Sequence, residues 1–198
     1  MTLKSVCVFC GSQAGALPEY EAAARELARV LASHDVGLVY GGGHVGLMGA
    51  LADAMLARGG RVTGVIPQHL MRPEVAHQEL TELIVVDSMH ERKRLMADRS
   101  DAFVVLPGGY GTLEEMFEMV TWLQLRLQAK PVGVVNVEGY FDSLLRFLEH
   151  GAEQGFIRRA DWDLLIVEHS PELLFKRLER HAAAIEKTHP ARDDTRRA

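Results

Sequence analysis

The stretch PGGYGTLEE at residues 107–115 sets glycines and a threonine beside two carboxylates. Glycines let successive backbone N–H groups converge, and a helix starting there adds partial positive charge, so the stretch suits a monophosphate. It lacks the Lys-Ser/Thr pair of a Walker A loop, which argues against ATP hydrolysis. The acids admit two readings. Thr112 and Glu115 have the T-x-x-E spacing of a capping box, with the threonine capping the helix and the glutamate reaching back to the backbone. Alternatively Glu115, about one turn inside the helix, faces a ligand.

A cationic partner lies upstream in SMHERKRLMADRSD, residues 88–101. Met89, Arg92 and Met96 fall at i, i+3, i+7 spacing, which puts Arg92 on the apolar face of a helix. It either snorkels at the edge of the core or aims a guanidinium at phosphate or carboxylate. Lys93 neighbours Met89 and Met96 on the same surface, and Arg94 precedes Asp98 by four residues, the spacing of a solvated pair.

Gly41, Gly43 and Gly46 match G-x-G-x-x-G after a strand and before a helix. A dinucleotide fold also places an acid at the end of the next strand, and here Pro67 and Gln68 fill that position, which weakens an NAD reading. Cys7 and Cys10 form a CxxC pair inside an apolar run. In a strand, residues three apart point to opposite faces, so these two share neither a metal nor a disulfide. The nine histidines show no HxxxH or HExxH grouping, and His44 and His90, nearest the loops, read as surface or packing residues.

These groups need a scaffold. Apolar, β-branched runs recur at 5–10, 37–41, 61–66, 83–87, 102–107, 131–137 and 164–168, with helical periodicity over 19–33, 44–59 and 112–127. Such alternation predicts an α/β, Rossmann-like, doubly wound and mainly parallel sheet with helices on both faces. Its ligand edge, beyond the carboxyl ends of the strands, would gather CGS (10–12), GGGHVGLMG (41–49) and PGGYGTLEE. The helix MFEMVTWLQLRL is apolar almost all round, which implies either a core helix or a subunit interface. A single domain is expected over 1–187, with a disordered tail over 188–198.

The 198 residues carry a net charge of −5, which is not the basic field of a duplex nucleic-acid binder. No apolar run reaches about 18 residues and no signal-peptide pattern opens the chain, so neither a membrane partner nor export is expected. With two cysteines of structural type, a cytoplasmic location is the default.

PGGYGTLEE preceded by MHERK, together with CVFCGS and GGGHVGLMG, closely resembles the LOG ("lonely guy") family of cytokinin riboside 5'-monophosphate phosphoribohydrolases, often mislabelled lysine decarboxylases. The likeness runs from about Ser5 to Phe156. It implies a Rossmann-like homodimer, with the active site near the interface, that hydrolyses the N-glycosidic bond of adenine-type nucleoside 5'-monophosphates without a cofactor. Carried over by motif, Arg92 and Glu115 would be catalytic. The positions matching substrate contacts are Lys93, Gly108, Gly109, Tyr110, Gly111, Thr112, Leu113, Glu114 and Thr121. Glu74 and the upstream loop residues Gly11, Ser12, Gly42 and Gly43 join them. A non-catalytic nucleotide or cofactor carrier on the same scaffold is the competing function, but a carrier has no use for Arg92 with Glu115. A pyridoxal-phosphate lysine decarboxylase would need a Schiff-base lysine with partners for the pyridinium ring, and only Lys93 lies near the expected site.

Overall fold

Each of the seven apolar runs becomes one strand: β1 (Ser5–Phe9), β2 (Gly37–Tyr40), β3 (Val62–Pro67), β4 (Glu82–Val86), β5 (Ala102–Val105), β6 (Val132–Val135) and β7 (Leu165–Glu168). The computed structural model describes residues 3–72 and 75–188. Within it the strands form one sheet in the order β4-β3-β2-β1-β5-β6-β7, and every neighbouring pair is parallel. The expected "mainly parallel" sheet is therefore wholly parallel. β2, β5 and β6 are buried at every position, as strands covered on both faces must be.

Among the described residues six α-helices supply the cover: α1 (Pro18–Ser33), α2 (Gly46–Leu56), α3 (Met89–Asp98), α4 (Tyr110–Gln124), α5 (Asp142–Glu153) and α6 (Pro171–Thr188). Leu27 and Leu31 of α1, Leu51 of α2 and Leu178 of α6 pack on one face with Val6, Val8 and Val104. Met96 of α3, Met116 and Met119 of α4 and Leu144 of α5 pack on the other with Phe9, Phe103 and Val105. Each such side chain removed from water stabilises the fold by about 1.5–3 kcal/mol. Cys7 and Cys10 fall in opposite layers, and both are free thiols. Burial pushes both thiols up, away from the reactive thiolate form.

The strand order reverses beside β1. The chain winds outward through β2, β3 and β4, then α3 carries it back to β5 on the other side of β1. Loops leaving the carboxyl ends of β1 and β5 must diverge there, which opens a crevice at the ligand edge. Among the described residues no helix is long and apolar enough to cross a membrane. Of the tail expected over 188–198, Thr188 closes α6 and the remainder lies outside the described residues.

Candidate active site

The crevice is a cleft of about 890 Å³ walled by the loops after β1, β2 and β5, by the end of β3 and by α3. Its floor holds an ion pair between a buried carboxylate and a largely buried guanidinium. Nη1 of Arg92 stands 3.3 Å from Oε1 of Glu115, with side-chain exposures of 12% and 11%. Nε of Arg92 donates to the carbonyl of Val65 in β3 at 3.0 Å, and its Nη1 rests near the sulfur of Met89. Burial pushes the Glu115 carboxyl up to about 7, while the Arg92 charge pulls in the opposite direction. A carboxyl poised there exchanges a proton near neutral pH, as a general acid or base requires.

The guanidinium reaches this position because residue 41 is glycine. A Cβ at residue 41 would stand 2.0 Å from Nη2 of Arg92. The first glycine of the G-x-G-x-x-G pattern thus makes room for an arginine instead of a pyrophosphate. Gly46, at φ +58°, lies so close to Ser12 and Gln13 that a Cβ would fall 2.4 Å from backbone, and Gly42, at φ +73°, faces Ile66 and Leu83. Gly43 and Ser12 line the cleft and Gly42 does not.

Of the two readings of Thr112 and Glu115, the capping box is not formed and Glu115 borders the cleft. Helix α4 begins earlier, with Gly109 as N-cap and Leu113 N–H bonded to the Gly109 carbonyl at 3.0 Å, so Thr112 is already inside the first turn. The helix is thus capped three residues ahead of the local T-x-x-E signal. No side chain caps this N-terminus among the described residues, which leaves its first amides for a ligand. A side-chain cap is instead made on α3, where Ser88 Oγ accepts from Glu91 N–H and the Glu91 carboxylate accepts from Asp87 N–H.

The other glycines of the loop divide sharply. A Cβ at Gly108 would stand 2.1 Å from Thr112 Oγ1 and 2.8 Å from the Gly11 nitrogen, whereas Gly109 and Gly111 have nothing within 4 Å. Gly108 and Gly11 are therefore the contact between two loops, tied further by Gly11 N–H to the Pro107 carbonyl at 3.0 Å. Gly11, Gly109, Tyr110, Gly111, Thr112 and Glu114 all border the cleft, with Tyr110 95% exposed; Gly108 and Leu113 do not.

Lys93 takes a different direction from Arg92. Its side chain is 8% exposed and does not line the cleft, and its ammonium contacts Glu114 at 2.5 Å and Glu118 at 3.0 Å. Burial works against this charge, but the two carboxylates outweigh it and its pKa is raised. Arg94 makes the expected surface pair with Asp98 at 3.7 Å. Thr121 lies nine residues beyond Thr112, about 13 Å along the helix, and borders a separate groove between α4, α5 and β7. Glu74 lies outside the described residues.

Sequence reading missed the apolar wall of the cleft, formed by Met48, Ile66, Leu70, Val75 and Met89. Leu70 and Val75 belong to the segment after β3, which is held down by a buried histidine. His77 Nε2 meets Asp53 Oδ1 at 2.9 Å, and its backbone N–H donates to the Gly42 carbonyl at 2.9 Å. Their signal is tertiary, since these five residues come from four separate parts of the chain.

A family model described as "possible lysine decarboxylase" matches residues 48–178. Two Arabidopsis thaliana proteins named cytokinin riboside 5'-monophosphate phosphoribohydrolase are similar over nearly the whole chain. LOG1 is 47% identical over 184 residues, and LOG3 is 44% identical over 184 residues; each alignment covers 93% of this chain and 86% of the relative. Among solved structures, the molybdenum cofactor carrier protein of Chlamydomonas reinhardtii superposes with a TM-score of 0.67 at 20% identity, covering 90% of this chain and 98% of that one. At that identity the likeness is one of fold.

Two outcomes test this geometry. Gly41→Ala should keep the melting temperature within a few degrees, because residue 41 is outside the positive-φ region and the clash falls on a flexible side chain. The displaced guanidinium should then raise the Glu115 pKa above its wild-type value in an NMR titration. Separately, the folded state holds the Glu115 proton to higher pH than an unfolded glutamate, so stability falls as pH rises from about 4.5 to about 7. Glu115→Gln, which mimics the protonated form, should be more stable than wild type at pH 8 by on the order of 1–3 kcal/mol. That gain should shrink toward zero at pH 4.5 in chemical denaturation.

Proposed function

This chain belongs to the LOG family, and on that premise we propose that it hydrolyses the N-glycosidic bond of adenine-type nucleoside 5'-monophosphates, cytokinin riboside monophosphates foremost. The products are the free base and ribose 5-phosphate. The observation that carries this reading is the buried Arg92–Glu115 pair on the floor of a cleft whose rim is an uncapped, glycine-rich helix N-terminus. The 5'-phosphate is held by amides at the start of α4, which places the ribose over Glu115 one turn further in. The base lies against the apolar wall of Met48, Ile66, Leu70, Val75 and Met89, a surface suited to a prenyl substituent.

As the C1'–N bond lengthens, positive charge develops on the ribose, and the Glu115 carboxylate stabilises it. The same carboxylate takes a proton from the attacking water. The hydroxyl joins C1', and the proton passes to the departing ring nitrogen, so atoms and charge balance. Arg92 keeps a working fraction of Glu115 ionised against the cost of burial. Lys93 neutralises Glu114 and Glu118, which would otherwise add negative charge beside Glu115.

The chemistry in the family model's description, lysine decarboxylation, does not suit Lys93. A Schiff-base lysine must present a free amine to the cofactor, and the amine of Lys93 is held charged between two carboxylates.

The protein acts as a homodimer through the face that carries α4 and α5. Phe117 on α4, Leu125 and Leu127 just beyond it, Phe147 on α5 and Phe156 just after it are exposed, the last two at 69% and 89%. They lie on or beside the elements bordering the apolar groove that holds Thr121, Leu145 and Trp162. Large apolar side chains concentrated in this way mark an association surface.

Purified protein should release free base from isopentenyladenosine monophosphate or AMP, followed by chromatography, with an acid limb in kcat/KM near pH 7. Glu115→Ala and Arg92→Ala should each lower the rate by roughly 10²–10⁴-fold while the circular dichroism stays native. No base from either nucleotide with wild-type protein rejects the hydrolase. By light scattering the wild type should have twice the chain mass, and Phe156→Asp with Phe147→Asp should shift it toward monomer; a monomeric wild type rejects the interface.

A further inference from the structure

Tyr140 stands in the turn after β6, where a short 3-10 segment, Val137–Gly139, leads into α5. It does not line the cleft. Its hydroxyl donates to the carbonyl of Gly108 at 2.7 Å, across 32 residues of chain. The ring is held edge-on by Tyr20, at 5.6 Å and 75°, and by Phe141, at 4.9 Å and 90°. These contacts aim the hydroxyl independently of the loop it holds.

A trans peptide points its carbonyl and the following N–H in opposite directions. Three successive carbonyls of the loop are committed to protein donors: Pro107 to Gly11 N–H at 3.0 Å, Gly108 to Tyr140, and Gly109 to Leu113 N–H at 3.0 Å. The first and last are held by main chain. The middle one links two glycines, the residues with the widest backbone freedom, and a side chain holds it.

We propose that Tyr140 is a positioning residue for the phosphate cradle: its hydroxyl fixes the Gly108–Gly109 peptide so that the Gly109 N–H joins the uncapped amides of α4 on the cleft side. This rests on the reading of the PGGYGT loop as the phosphate site. The hydroxyl acts on phosphate-bearing ligands alone, because it touches neither the apolar wall nor the Arg92–Glu115 pair. Loss of one neutral hydrogen bond of this kind corresponds to about a fivefold change in an equilibrium constant.

The test is Tyr140→Phe, which removes the hydroxyl and keeps the ring contacts. Calorimetry should show the Kd for ribose 5-phosphate rising about fivefold, with adenosine binding unchanged. In the hydrolysis assay KM for the nucleotide should rise by the same factor, with kcat within about twofold and thermal unfolding unaltered. Equal affinity of wild type and Tyr140→Phe for ribose 5-phosphate overturns the inference alone. So does a parallel loss for adenosine and ribose 5-phosphate, the mark of a general structural role. Wild-type protein that binds adenosine but no ribose 5-phosphate overturns the phosphate reading of the loop as well.

Discussion

A buried carboxylate paired with a largely buried guanidinium on the floor of a cleft sets the terms for everything around it. Taking two charges out of water costs several kcal/mol per ion, and their attraction returns this only in good geometry. The surrounding chain supplies that geometry at specific points. β3 offers the Val65 carbonyl to Nε, Gly41 vacates the space for Nη2, and α3 sets Arg92 beside Met89. Compensation is incomplete, since Glu115 still binds its proton at about neutral pH. The site therefore stores an electrostatic cost that the two apolar layers of the sheet offset, and this is the ordinary relation between a working site and its scaffold.

Two neighbouring cations on one helix turn serve different ends here. Arg92 and Lys93 differ by 100° around α3, enough to send one into the cleft and the other between Glu114 and Glu118. The compact ammonium suits a buried bridge between two acids, and the planar guanidinium suits simultaneous contact with a carbonyl and a carboxylate. Together they pin α3 to the first turns of α4, so the acid that faces the cleft is carried on a helix that cannot easily shift.

Much of the scaffold was legible in the sequence, because buried parallel strands must be apolar on both faces and so announce themselves as short runs. All seven runs became strands within a few residues of their expected ends. Arg92 and Glu115 were also legible, one from its place on an apolar helical face and both from a family motif. Other features were not, each for a physical reason. The T-x-x-E spacing at Thr112 satisfies a local rule, but α4 is already capped at Gly109, three residues ahead of it. Lys93 adjoins Arg92 in sequence and parts from it in space. Thr121 lies too far down α4 to reach the cleft of its own chain. The apolar wall and Tyr140 depend on contacts between segments far apart in the chain, which no spacing rule encodes. Helices α5 and α6 had no expectation attached, although α6 supplies Leu174 and Leu178 to the core.

The Val65 and Gly108 carbonyls have an evolutionary consequence. Two of the bonds that orient the site end on main-chain oxygens, atoms that every amino acid carries. Substitution at residue 65 can alter packing yet cannot delete the acceptor, so half of each such bond is insulated from point mutation. The wall of Met48, Ile66, Leu70, Val75 and Met89 lacks such protection, because its apolar character is set by its side chains. Drift is thereby channelled: the apolar wall is free to diversify while the acceptors that hold Arg92 and the glycine loop stay in place. A scaffold divided in this way can acquire new ligand preferences without rebuilding its polar groups.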